Sequence, residues 1–216
     1  MKKTKGKLFG IAGILLAAFA LWTLAVQHID VQAIGPNGSS VGFAGLNGWV
    51  HDLTGVHMGL YVLTDWLGLV PIGFVLGFAV LGLVQWMRRR KLFRVDRDIL
   101  LLGGFYLLVL ILYLVFETVA VNARPVLIDG RLEASYPSST TMLVLCVMPT
   151  AMMQLRARIR NTKVRTIVLT ILAVFTACMV VGRLIAGVHW FTDIIGGVLL
   201  SAGLVALYDA IEKKMK

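Results

Sequence analysis

Long apolar runs alternate with short basic segments along most of the chain. Six of these runs approach the length of about 20 residues that a membrane-spanning helix requires. They lie at about residues 8–26, 66–87, 99–116, 141–155, 166–183 and 190–211. Helices satisfy all their backbone polar groups inside a bilayer, so the pattern predicts an all-α fold, a bundle of six transmembrane helices with residues 1–216 forming a single membrane domain.

The first run has a second interpretation, as a signal peptide. It follows a basic N-terminus, and Ala18-Phe19-Ala20 resembles a cleavage site. Signal peptides usually have a shorter apolar core, however, whereas this run is about as long as a span. We therefore interpret it as a retained first span.

Residues 28–65 differ from the spans in composition. A stretch rich in Gly, Pro, Asn and Ser at 34–48 is followed by one in which Trp, Tyr, His and Asp are interspersed with apolar residues. Such a mixture is typical of a helix that lies at the membrane interface or descends into it. We expect an external, interfacial helical segment here.

The distribution of charge supports a membrane protein and indicates its orientation. Hydrophobic residues make up 58% of the chain and the net charge is +10. The basic residues cluster between the spans, so the predicted partner is the lipid bilayer and not a nucleic acid. All but three of the 21 Lys and Arg residues lie in the two termini or in the loops after the second and fourth spans, which predicts a cytoplasmic location for those segments. The exceptions, on the external side, are Arg124, Arg131 and Arg183.

Small residues four apart occur in two spans. Gly73 and Gly77 lie in the second span, and Gly197 and Ser201 lie in the sixth. Such pairs allow a neighbouring helix to approach closely. We expect both to serve packing inside the bundle in preference to a dimer interface, and the oligomeric state stays open.

An arginine, a histidine and an aspartate lie where the fifth and sixth runs meet. If the sixth run is helical from its start, His189 and Asp193 share one face of its first turn. A carboxylate beside an imidazole fixes its tautomer, and the Arg183 guanidinium suits phosphate oxygens. By themselves these residues also fit a helix-end salt bridge beside an interfacial histidine. Arg124 and the stretch 137–140 fall at the same predicted membrane face, which favours a functional site.

These residues resemble the motifs of a known family. The pattern Arg183-x5-His189-x3-Asp193 is similar to the third motif of the type-2 phosphatidic acid phosphatase superfamily of membrane lipid phosphate phosphatases. Arg124-Pro125 resembles the end of its first motif, Lys-x6-Arg-Pro, and Pro137-Ser138-Ser139-Thr140 occupies the place of its second, Pro-Ser-Gly-His. Motif order, spacing and six spans agree over most of residues 66–211.

The resemblance implies a mechanism. His189 would attack phosphorus and form a phosphohistidine, and Asp193 would orient the imidazole. Arg124 and Arg183 would hold the phosphate oxygens and stabilise the charge that develops as the bond breaks.

The resemblance implies further contacts at the start of the fourth span. Ser138, Ser139 and the adjacent backbone N–H groups would donate to the phosphate. The sequence contains no compact carboxylate and histidine cluster, so we expect no metal and no cofactor.

Four departures from the family pattern bear on activity. Glu117 occupies the lysine position of the first motif, Gly182 replaces a serine, Ser139 replaces a glycine, and Thr140 replaces the second-motif histidine. The resemblance assigns protonation of the leaving oxygen to that histidine, and such help contributes about 10²–10⁴ in rate. A threonine hydroxyl is too weak an acid for this role, so we expect a poor phosphatase.

Three explanations compete for Thr140: an engineered inactivation, a natural non-catalytic member, or a proton donor located elsewhere. His57 is the best candidate for a relocated donor, although an interfacial histidine without a catalytic part is the favoured interpretation. Glu117 is a second accessory candidate, and we expect it to form a structural ion pair with Arg124.

The predicted function is hydrolysis of a membrane lipid phosphate. The resemblance implies a substrate of the undecaprenyl diphosphate, phosphatidylglycerophosphate or phosphatidic acid class, and a site on the external face of a bacterial plasma membrane. One alternative is a catalytically silent relative that binds a phospholipid. Another keeps the fold but transfers phosphate to an acceptor other than water.

Overall fold

The computed structural model of the chain describes residues 2–215, which form eight α-helices and no β-sheet. The helices are Lys2–His28 (α1), Ala44–Thr54 (α2), Met58–Leu67 (α3), Leu69–Arg89 (α4), Arg97–Thr118 (α5), Ser139–Arg158 (α6), Thr162–Ile185 (α7) and Phe191–Met215 (α8). Six segments within the described residues are long and apolar enough to span a membrane. The predicted all-α, six-span integral membrane fold is therefore confirmed.

The second candidate span begins earlier than the hydropathy pattern indicates. Helices α3 and α4 together form a segment of 32 residues, Met58–Arg89, whereas the apolar run begins near Trp66. Polar residues such as Thr64 lower the hydropathy of α3. Thr64 is buried against α7, where its methyl group lies close to Gly182, so this polarity does not end the helix.

Helix α8 lies at the centre of the bundle and packs closely against α1 and α6. A Cβ atom added at Gly203 would lie 2.8 Å from the Leu16 side chain of α1, and one at Gly197 would lie 3.2 Å from Thr141 of α6. Ser201 Oγ donates to the Met142 carbonyl of α6 at 3.3 Å. The predicted packing role of Gly197 and Ser201 is confirmed.

Gly73 and Gly77, the small residues of the second span, do not pack against a neighbouring helix within residues 2–215. A Cβ atom added at Gly73 or Gly77 would meet no atom within 4 Å among the described residues. The prediction that these glycines pack against a neighbouring helix is wrong. Hydropathy identifies the span that carries a small residue but not the face of the helix on which a neighbour lies.

The segment between α1 and α3 is attached to the start of α8. Asn47 of α2 donates to Thr192 Oγ1 at 2.9 Å and accepts from the Thr192 backbone N–H at 3.1 Å. Trp49 and Leu53 on the same helix are 64% and 71% exposed. A polar face fixed to the bundle and exposed apolar side chains are typical of an interfacial helix. These features support the prediction that α2 lies at the membrane interface.

Candidate active site

The loop between α5 and α6 carries several residues of the candidate site and is held by local hydrogen bonds. The Arg124 backbone N–H donates to the Glu133 carbonyl at 3.0 Å, and the Ser135 N–H donates to the Asn122 carbonyl at 2.9 Å. The Trp190 indole donates to the Ala123 carbonyl at 2.8 Å. These bonds attach the loop to the connection between α7 and α8.

That connection positions the histidine and requires a glycine. Gly187 has φ of +68°, and a Cβ atom there would lie 1.9 Å from the Gly55 carbonyl oxygen. Only a residue without a side chain fits such a backbone contact. The turn places Arg183 in the last turn of α7 and Asp193 in the first turn of α8, with His189 between the two helices.

Asp193 does not contact the imidazole as the sequence predicts. The shortest separation, between Asp193 Oδ2 and His189 Nδ1, is 4.0 Å. The carboxylate instead accepts hydrogen bonds from the Ser135 hydroxyl, from Asn122 Nδ2 at 3.3 Å and from the Trp190 backbone N–H at 2.9 Å. Because His189 lies before the helix begins, the four-residue spacing does not bring the two side chains together as it would within a helical turn.

The imidazole of His189 is buried and bonded at both ring nitrogens. Nε2 lies 3.2 Å from Arg183 Nη2, and Nδ1 lies 3.0 Å from Ser135 Oγ and 3.1 Å from the Ser135 carbonyl oxygen. Burial, followed by the charges of Arg124 and Arg183, holds the pKa of His189 well below its usual value. The neutral imidazole is therefore the form present near neutral pH, as a nucleophile requires.

The two arginines lie beside one aromatic ring, and both are almost fully buried. The guanidinium carbons of Arg124 and Arg183 are 5.9 Å and 5.0 Å from the centre of the Tyr61 ring. Arg124 Nε lies 3.0 Å from a Glu133 carboxylate oxygen, and Arg183 Nη1 lies 3.9 Å from Asp65. Glu133, and not Glu117, is thus the ion-pair partner of Arg124. The predicted pairing of Glu117 with Arg124 is wrong.

Nitrogens of both arginines and two hydroxyl groups at the start of α6 are buried without a hydrogen-bond partner among the described residues. They are Arg124 Nη1, Arg183 Nε, and the hydroxyl groups of Ser138 and Thr141. Arg124 Nε also lacks hydrogen-bond geometry toward Glu133 although the ion-pair distance is short. Buried donors without partners are costly, and an anion between the arginines would satisfy their free N–H groups.

A long cavity opens at the arginines and runs between α4, α5 and α6. It has a volume of about 1270 Å³. Arg124, Arg183, Ser139, Thr140 and Glu117 line its polar end, and apolar residues from Leu69 to Trp86 and from Ile99 to Leu110 line the rest. A cavity with a cationic end and an apolar body suits an amphiphile with an anionic head group.

The accessory residues predicted from the sequence lie at different distances from this centre. Thr140 and Glu117 line the cavity, as described above. His57 is exposed, its ring Nε2 is 2.9 Å from the Thr54 carbonyl, and its backbone N–H donates to the Ala186 carbonyl. In the described part of the chain we find no contact between His57 and His189.

Four residues of the site carry no recognisable signal in the sequence. Ser135 and Asn122 contact Asp193, Tyr61 lies beside both arginines, and Glu133 pairs with Arg124. Each reaches the site through a loop or a neighbouring helix, and no spacing within a single element relates it to His189. Within residues 2–215, no group of three or more His, Cys, Asp or Glu side chains is arranged to hold a metal ion.

Comparison with known proteins gives a family match over the C-terminal part of the chain. Residues 115–215, which contain all three motifs, match the model of the PAP2 superfamily. The predicted family resemblance is confirmed. The PAP2 match begins near the end of α5 and extends through α8, so it includes both arginines, the α6 start and the turn that carries His189.

A solved structure extends the likeness to the remaining helices. A transmembrane PAP2 type phosphatidylglycerolphosphate phosphatase from Bacillus subtilis matches with a TM-score of 0.55 and 22% identity, over 95% of this chain and 98% of that chain. At this identity the match shows a shared PAP2 membrane fold and not a shared substrate. No curated protein matches the sequence significantly.

Proposed function

We propose that this PAP2 protein releases phosphate from a membrane lipid phosphate through a phosphohistidine at His189. One observation carries the proposal: unpartnered N–H groups of two buried arginines lie beside a neutral imidazole at the polar end of a long apolar cavity. The arginines would bind the phosphate, and the cavity would hold the lipid chain.

The reaction has two steps. The lone pair of His189 Nε2 attacks phosphorus while the bond from phosphorus to the lipid oxygen breaks, and that oxygen leaves with a proton taken from solvent. Water then attacks the phosphohistidine, inorganic phosphate departs, and Nε2 regains its lone pair. Arg124 and Arg183 stabilise the charge on the non-bridging oxygens in both steps. Ser138, Ser139 and the N-terminus of α6 would add donors to the same oxygens.

The first step lacks a strong general acid. Thr140 lines the cavity beside the arginines, where the family motif has histidine, and Glu117 lines the same end. A hydroxyl can donate a hydrogen bond to the leaving oxygen but cannot protonate it near neutral pH. Slow turnover is the expected consequence. Glu117 is one of three carboxyl residues that line the cavity, with Asp65 and Glu133.

The apolar body of the cavity supports a lipid with at least one long hydrocarbon chain. Phosphatidic acid, phosphatidylglycerophosphate and undecaprenyl diphosphate all meet this requirement. The basic loops support a site on the outer face of a bacterial plasma membrane, with both termini in the cytoplasm. A fluorescent protein fused after Lys216 should then fold and fluoresce, and a periplasmic reporter at the same position should stay inactive.

A second function is favoured by Thr140 itself: a silent relative that binds a phospholipid without hydrolysing it. The same arginines and cavity would bind the head group and chain. The two functions differ in turnover and not in affinity, so both must be measured together.

The deciding experiment measures phosphate release and lipid binding for three forms of the purified chain in lipid nanodiscs. The forms are the parent chain, Thr140→His and His189→Ala, each tested with the three lipids. We expect slow release by the parent chain, an increase of about 10²–10⁴-fold in Thr140→His, and no release by His189→Ala. Binding without release in every form would support the silent relative. Absence of both release and binding would refute the proposed function.

A further inference from the structure

Ser135 lies between the candidate nucleophile and the aspartate that the family motif pairs with it. Its hydroxyl donates to Asp193 Oδ2, and the same oxygen lies 3.0 Å from His189 Nδ1. Asp193 Oδ2 itself is 4.0 Å from Nδ1, beyond hydrogen-bond distance. Ser135 is only 2% exposed, so water does not compete freely for these contacts.

The proton position on the imidazole follows from its two neighbours. Arg183 has N–H donors and no acceptor, so the 3.2 Å contact from its Nη2 requires a lone pair on His189 Nε2. A neutral imidazole then carries its proton on Nδ1. That N–H faces the Ser135 carbonyl oxygen at 3.1 Å and the Ser135 hydroxyl oxygen at 3.0 Å, and both can accept it.

The hydroxyl is free to accept because its own proton is committed elsewhere. It donates to Asp193, whose other hydrogen bonds come from Asn122 and the Trp190 backbone. Donation to a carboxylate polarises the hydroxyl and makes its oxygen a better acceptor. The aspartate therefore reaches the imidazole through Ser135, in the order Asp193, Ser135, His189.

We propose that Ser135 is a positioning residue that transmits the influence of Asp193 to His189 and holds the imidazole with its Nε2 lone pair toward the arginines. This inference rests on the proposed function for its catalytic consequence. The hydrogen-bond arrangement itself is independent of whether the chain turns over a lipid.

The backbone of Ser135 has a separate, structural role that the test must exclude. Its N–H donates to the Asn122 carbonyl, and its carbonyl accepts from the histidine. Ser135→Ala keeps both backbone groups and removes the hydroxyl alone. Ser135→Thr keeps the hydroxyl and restores the bridge, so the pair separates the side chain from the loop.

The first measurement uses ¹⁵N-histidine spectra of the full chain in nanodiscs at neutral pH. The chain has four histidines, so the His189 signals can be identified by their loss in His189→Asn. We expect His189 protonated on Nδ1 in the parent chain. Predominant protonation on Nε2 would overturn the inference, whatever the activity.

The variants provide the second measurement. Ser135→Ala should give a mixture of His189 tautomers, and Ser135→Thr should restore the parent spectrum. Thr23→Ala is the matched control, because it removes a hydroxyl that bonds the neighbouring Tyr136 at 2.7 Å without contacting His189. It should leave the tautomer unchanged. If Ser135→Ala does not fold, Ser135→Cys, which keeps the volume but weakens the hydrogen bonds, replaces it.

The kinetic measurement is made in the Thr140→His background, where turnover is expected to be faster. Loss of the Ser135 hydroxyl should lower kcat by roughly 10- to 100-fold, the range for outer partners that orient a histidine in metal sites, and leave KM nearly unchanged. An unchanged tautomer with unchanged kcat in Ser135→Ala would refute the positioning role. A shifted tautomer in a chain that releases no phosphate would support the positioning role and refute only the proposed hydrolysis.

Discussion

The residues around the α7–α8 turn and those at the start of α6 differ in how completely their polar groups are hydrogen-bonded. On the side of the α7–α8 turn, both nitrogens of His189 and both oxygens of Asp193 have partners within the protein. On the side of α6, the Ser138 and Thr141 hydroxyl groups are buried without partners. The residues around the turn are therefore held by hydrogen bonds within the described part of the protein, whereas two buried hydroxyl groups at the start of α6 are not.

This contrast separates the two halves of the proposed reaction. Nucleophilic attack needs a fixed tautomer and a fixed ring, and the buried network around His189 provides both. Departure of the lipid oxygen needs a proton, and the described residues that line the cavity include no histidine. We therefore expect the protein to promote nucleophilic attack by His189 more effectively than departure of the lipid oxygen.

The strongest test of His189 as the nucleophile is the detection of a phosphoenzyme. After rapid mixing with radiolabelled lipid phosphate and denaturation in alkali, the chain should retain an acid-labile label. His189→Ala should lose the label and reduce phosphate release by at least about 10³-fold, as expected for removal of a nucleophile. His28→Ala, a change at an exposed histidine at the end of α1, is the control and should keep both. Label that persists without His189 would identify a different nucleophile.

Substitution of an arginine tests whether its side chain binds the phosphate directly. Arg183→Gln should lower kcat/KM by about 10²–10³-fold, the cost of losing a preorganised donor to transition-state charge. Arg131→Gln is the matched control, because Arg131 lies exposed in the loop between α5 and α6. A similar effect of both changes would indicate a general loss of positive charge and contradict direct phosphate binding.

A bulky residue in the cavity tests where the lipid chain lies. Gly103 lines the cavity with open space around it. Gly103→Leu should therefore raise KM for a long-chain lipid phosphate by roughly 10-fold, because a contact remote from the phosphate contributes to binding and not to chemistry. A short-chain analogue should be affected little. Gly73→Leu supplies the control, because Gly73 also has open space but does not line the cavity. Equal effects on both lipids would place the chain elsewhere.

The smallest expected effect is a pH dependence. Because burial and the two arginines lower the pKa of His189, its resonance should begin to titrate only well below pH 6.5 in nanodiscs. An unfolded chain would bind this proton near pH 6.5, so stability should decrease as pH falls below that value. Arg124→Gln removes one of the charges and should raise the pKa of His189. Titration near 6.5 in the parent chain would contradict a buried, neutral nucleophile.

Much of the membrane fold could be predicted from the sequence because hydropathy and basic loops are local properties. The six spans and the candidate residues Arg124, Arg183 and His189 all follow from runs or motifs. The helical segment extends before the apolar run to Met58, where Thr64 is polar in sequence yet buried against α7. Hydropathy averages cannot distinguish a polar side chain that faces a helix from one that faces water.

The sequence by itself determined the class of fold, the order of the motifs and the absence of histidine at position 140. Only the tertiary structure decided which groups contact one another: Ser135 between Asp193 and His189, Glu133 in place of Glu117 on Arg124, and Tyr61 beside both arginines. The physical reason is the range of the interactions. Spacing within one helix relates residues three or four apart, but a site built from two loops and several helices depends on how distant segments pack.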